Sequence, residues 1–150
     1  MNRKLKFKKG KKNLLQEAYS KLLEIYPDEY LIQKYSDNFG TYAIETKSFI
    51  LVAKSYVYNG IVSAHSQAVY HAWAKGKPLL MFIKHSKVKN FKASAFSEFF
   101  YQFDPDEVFS KSFENMRGSI TMLNWKVDLA KKVFWKKGQF TYENLTPRDE

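Results

Sequence analysis

The residues best equipped for chemistry fall in one short string that runs from Asp37 through Glu45 to Lys47 (DNFGTYAIETK). An aspartate followed by Glu-x-Lys suits metal-assisted cleavage of a phosphodiester. The carboxylates of Asp37 and Glu45 would hold a hard divalent cation, magnesium or manganese, which keeps some of its waters and contacts the scissile phosphate. Lys47 lies two residues beyond Glu45, so on a strand the two share a face. There it would ease formation of the attacking hydroxide and of the phosphorane charge. The same triplet also reads as a hairpin turn with solvated charges. Other candidates are weaker. Glu17 on the first helix could orient a water or a metal, or simply be solvated. His65 and His71 are six apart and do not share a helical face, which makes them a poor metal pair. His85 stands alone after a strand. Trp73, Trp125 and Trp135 read as packing residues rather than base-stacking platforms. The chain has no cysteine, which excludes disulfide scaffolds, thiolate metal sites and cysteine nucleophiles. It shows neither a Gly-rich phosphate loop nor a Ser/His/Asp signature.

The elements that must position these residues are legible from periodicity. Leu14, Leu15, Ala18, Tyr19, Leu22, Ile25 and Tyr26 fall on one face of a helix over Asn13–Tyr26, capped by Asn13 and stopped by Pro27. Tyr30–Ser36, Thr41–Thr46 and Phe49–Val57 are dense in β-branched and aromatic residues and predict an antiparallel meander. Ser63–Lys75 predicts a helix ended by Gly76 and Pro78. Leu79–Lys84 predicts a buried strand, with Val88–Ala93 as an edge strand hairpinned to it. Asp104 as cap, Pro105 at the first position and Glu107 closing a capping box predict another helix start. Leu123, Val127, Ala130 and Phe134 predict a last helix with basic residues on its outer side. The expected fold is an α/β domain with a mixed sheet and a helix on each face. Residues 1–12 form a basic arm, 13–137 a single domain and 138–150 a polar tail.

The chain has 150 residues with 25 Lys+Arg against 15 Asp+Glu, a net charge of +10. That length suits one domain with a real core, and the 45% hydrophobic content excludes intrinsic disorder. No apolar run approaches a membrane span and the basic N-terminus lacks a secretory pattern, so the expectation is a soluble cytoplasmic protein without a membrane partner. The charge is clustered. Arg3, Lys4, Lys6, Lys8, Lys9, Lys11 and Lys12 form the arm. Lys126, Lys131, Lys132, Lys136 and Lys137 form a late block. Lys87 and Lys89 belong to a looser set with Lys75, Lys77, Lys84 and Lys92. Each such lysine can replace a condensed counterion on a phosphate backbone, which gives affinity without base specificity. A Lys-rich solubilising surface accounts for the same count.

Taken together, these segments resemble the PD-(D/E)xK nuclease superfamily and, within it, the RecU and Hjc Holliday-junction resolvases. The carriers are KKGKKNLLQEAYSKLL with Glu17, DNFG with Asp37, a Lys-ended strand, NGIVSAHSQ with Gln67, GKPLLMFIKHSKVKNFKASAF and MRGSIT. The resemblance implies a restriction-endonuclease-like core and a homodimer that binds branched or duplex DNA in recombination and repair. It implies a site drawn from Glu17, Asp37, Glu-x-Lys and Gln67, with Mg or Mn as cofactor if the site is active. Two registers are open. In one, Glu45 and Lys47 fill the Glu-x-Lys positions. In the other, the motif strand is Phe49–Lys54, with Val52 in the glutamate position and Lys54 in the lysine position. Valine cannot ligate a metal, so the second register implies a resolvase-like protein that binds without cutting, or that occupies another nucleoprotein complex as an inhibitory partner. A basic RNA-associated module is the remaining alternative.

Overall fold

The structure, a computed structural model, describes residues 13–54, 60–84, 98–114 and 122–135. Its first helix, α1 (Leu14–Ile25), starts where Asn13 accepts the Gln16 N–H at 3.0 Å. It is followed by β1 (Leu31–Asp37), β2 (Gly40–Thr46) and β3 (Ile50–Lys54), the expected antiparallel meander. A short strand, β4 (Ile61–His65), then leads into α2 (Ser66–Lys75). The sequence reading placed this helix start at Ser63. The chain stays extended to His65 because Ile61–His65 pairs with a later strand, β8 (Met122–Lys126). Gly76 ends α2 in the left-handed conformation, φ +68°, as its position before Lys77-Pro78 suggests.

The next strand, β5 (Leu79–Lys84), runs parallel to β3, with α2 in the crossover. Its antiparallel neighbour is β6 (Glu98–Phe103), a strand absent from the sequence reading. The expected partner, Val88–Ala93, lies outside the described residues. Asp104 caps α3 (Pro105–Lys111) by accepting the Asp106 N–H. The two-residue β7 (Phe113–Glu114) pairs with β8. The predicted last helix over 123–134 is corrected. That stretch forms β8, a single 3-10 turn at Val127–Leu129 and β9 (Lys132–Trp135). Its helical spacing loses to tertiary pairing, because β8 joins β4 and β9 joins β6.

The result is mixed α/β. Among the described residues, one sheet has six strands in the order β1-β2-β3-β5-β6-β9, and a second has three in the order β4-β8-β7. Strands β3 and β5 are buried on both faces, so they read as continuous apolar runs. Their alternate residues feed two cores. Ile50, Val52, Leu79, Met81 and Ile83 pack with Ala68, Val69 and Ala72 of α2. Leu51, Leu80 and Phe82 pack with Leu15, Ala18 and Leu22 of α1 on the other face. A helix therefore covers each face, as expected. Among the described residues, no helix is long and apolar enough to cross a membrane.

Candidate functional site

Strand direction decides which candidates can meet. Since β1 and β3 are both antiparallel to β2, and β3 is parallel to β5, these three strands end on the same side of the sheet. Asp37, Lys54 and Lys84 are their last residues. A cleft of ≈ 470 Å³ opens there, bounded by Asn13 and Leu14 of the first helix, by the β1–β2 hairpin, and by Val52, His65 and Met122. In α/β sheets, ligands commonly bind outside the carboxyl ends of the strands.

Asp37 stands at the mouth of this cleft. Its Oδ1 accepts the Phe39 N–H at 2.8 Å and its Oδ2 lies 3.0 Å from His65 Nε2. The Phe39 hydrogen bond first, and His65 next, hold its carboxyl below the ordinary range. His65 is the N-cap of α2, and its Nδ1 accepts the Gln67 N–H at 3.1 Å. With Nδ1 an acceptor, the proton sits on Nε2 and is donated to Asp37. The His65 ring stacks on Tyr42 at 4.0 Å, the Tyr42 hydroxyl reaches His71 Nε2 at 3.1 Å, and His71 stacks on Tyr35 at 3.8 Å. A register shift between Tyr35 and Ser36 explains how Tyr42 joins this face, since it is the extra residue opposite β1. Burial, followed by the Lys75 charge, lowers the pKa of His71.

Glu45 belongs to the other end of β2. It lies five residues beyond Gly40, about 16 Å at the rise of an extended strand, beside the start of β5. It is 3% exposed. Gln33 and the Tyr35 hydroxyl donate to its Oε1 at 3.0 and 2.9 Å, and Lys77 Nζ donates to Oε2 at 2.6 Å. Lys75 adds a second cation at 3.6 Å. Burial works against the charged form, but these donors outweigh it and hold the carboxyl at about 2. Tyr35 is pushed up to about 12 by burial and by the same carboxylate. Glu45 is thus the buried partner of two lysines, and Asp37 and Glu45 do not share a metal site.

The other predicted residues divide similarly. Lys47 is exposed in the β2–β3 turn, where its backbone N–H bonds Tyr30. Glu17 is paired with Lys84 at 2.9 Å. Gln67 sits beside His65 in the first turn of α2 with an exposed side chain. Lys54 ends β3, its backbone opposite Ile83. Val52 lines the cleft with Asp37. Lys131 is half exposed and pairs with Glu107 at 2.9 Å. Lys132 begins β9 rather than sitting on a helix. The basic arm, His85, Lys87, Lys89, Lys136 and Lys137 lie outside the described residues.

Magnesium or manganese needs several oxygen ligands. At the cleft, one Asp37 oxygen is taken by a backbone N–H, the other by His65, and β3, beyond β2 in the sheet, offers Val52. The described residues include no group of three His, Asp or Glu able to hold a metal ion. The donor set does not fit the cation. Sequence reasoning sets His65 aside as half of a poor metal pair and does not find its partner. Its pairing with Asp37, 28 residues earlier, exists only once the strand before α2 crosses the sheet end. Trp73 also departs from expectation, being 50% exposed, whereas Trp125 is fully buried. No protein-family model, curated protein or solved structure matches this chain.

Proposed function

We propose that this is a resolvase-like protein that binds branched or duplex DNA through its phosphate backbone and does not cut it by metal catalysis at the sheet-end cleft. The observation that carries the reading is that Asp37 and Val52 line one cleft while Glu45 is sequestered at the opposite end of β2. This is the arrangement expected of the second register. The order helix, meander, crossover helix, parallel strand supports the same reading, as does the placement of Glu17, Asp37, Lys54 and Gln67 toward one end of the sheet. The charge of +10 suits a polyanion, and lysine contacts to phosphates suit a ligand recognised by shape rather than by base sequence.

The test is a gel-shift titration with a four-way junction, a duplex of equal length and a structured RNA. Each is run in EDTA and in magnesium. Binding of the junction that is equally tight in both buffers is expected. Preference for RNA would move the reading to an RNA-associated module. Binding that requires magnesium would contradict the proposal.

A further inference from the structure

The tip of the β1–β2 hairpin carries a feature that backbone binding leaves unused. Phe39 is 96% exposed, the largest exposure among the large hydrophobic residues described. It does not stand on a slack loop. Asp37 pairs with Gly40 across a two-residue turn, and Gly40 takes the φ of +123° that the turn requires. The Asp37 carboxylate accepts the Phe39 N–H, so it fixes the backbone of the residue on display. The same carboxylate is tied to His65, and the Ser36 and Thr41 hydroxyls meet at 3.1 Å across the hairpin. His65 in turn is clamped by the Tyr42 ring and by the Gln67 N–H. The tip is therefore fastened to the sheet and to the start of α2. Phe39 also lines the mouth of the cleft alongside Asp37 and His65.

We infer that Phe39 is a wedge that stacks on an unpaired or unstacked nucleobase where the DNA branches. The inference rests on the DNA-binding reading above and names what the hairpin recognises within it. Proteins that distort DNA insert apolar side chains such as Phe between base steps, and the insertion costs least where stacking is already broken. Base–aromatic stacking is blind to sequence, which matches a lysine-rich chain whose phosphate contacts would read none. A rigid mount matters, because a wedge that swung aside would not hold the bases apart. Asp37 is in this account a positioning residue: its two hydrogen bonds aim the hairpin. A lipid surface is the competing home for an exposed aromatic at a hairpin tip. Burying the tip in a lipid interface would desolvate the flanking Asp37 and Asn38, whereas stacking one ring on a base leaves them in water.

The experiment uses the full chain with a four-way junction bearing 2-aminopurine at the crossover, a matched duplex, and anionic vesicles of phosphatidylserine and phosphatidylcholine. Phe39→Ala and Phe39→Trp are compared with the parent. Thermal unfolding is followed to verify that both variants keep its midpoint, as an exposed position should. Phe39→Ala is expected to lose about tenfold in junction affinity while duplex affinity holds, and to abolish the rise in 2-aminopurine fluorescence. Phe39→Trp is expected to restore both, with its indole emission quenched by junction and unchanged by vesicles. Unchanged junction preference in Phe39→Ala overturns the wedge alone. Indole emission that responds to vesicles and not to junction overturns it in favour of a membrane. Failure of the parent to bind any DNA overturns both the wedge and the reading beneath it.

Discussion

At the residue scale, two carboxylates eight positions apart in the chain have different duties. Glu45 is held by Gln33, Tyr35 and Lys77 inside the protein, and its carboxyl sits at about 2 against an ordinary value of 4.5. A carboxyl depressed by folding contributes stability above the unfolded pKa and loses it as pH falls toward the folded one. The window is therefore from about 4.5 down to about 2. Urea unfolding across that range should show a loss of roughly 3 kcal/mol attributable to this group. Glu45→Gln should flatten that part of the profile, and a profile identical to the parent's would refute the assignment. Glu45→Ala strands the Lys77 ammonium and should cost about 3 kcal/mol at neutral pH. His71 acts in the same direction at higher pH. Burial depresses its pKa, so its contribution is present above 6.5 and fades as pH falls below it. His65→Ala removes both the α2 cap and the partner of Asp37, and should lower stability by about 1 kcal/mol in thermal unfolding.

At the element scale, α1 and the meander were legible because their signals are local. Asn13, the apolar stripe and Pro27 mark the helix, and dense β-branched and aromatic residues broken at Asp37–Gly40 and Thr46–Ser48 mark the strands. The late strands were not legible because their partners are remote. Residues 123–134 carry helical spacing, yet Trp125 pairs with Val62 of β4 and packs edge-on against Phe103 at 5.4 Å. Trp125 thus docks the small sheet on the α2-side core. Trp125→Ala should cost about 3–5 kcal/mol in denaturant unfolding. Trp73→Ala, at a half-exposed site, should cost under about 1 kcal/mol. Equal costs would return both to the common packing role that composition suggested. The candidate site was readable in the same partial way. Asp37 and Val52 are recognisable from order along the chain, but the pairing of His65 with Asp37 becomes visible only when β4 leads into the start of α2 at the cleft.

At the scale of the whole molecule, the charge and the cleft give separable predictions. Backbone binding by several lysines releases counterions, so affinity should fall roughly a thousandfold between 50 and 200 mM salt for about six phosphate contacts. Filter binding across a salt series measures this, and a flat response would mean that the +10 charge only solubilises. The cleft adds that Asp37 holds the hairpin, with His65 and the Phe39 N–H as its partners, and that Val52 lines the same cleft. The most direct test of that claim is a four-way junction with each strand labelled in turn, incubated with saturating protein and either magnesium or manganese. The expected result is a junction that is fully bound and uncut. Paired nicks at the crossover that require the metal and vanish in Asp37→Ala would contradict it.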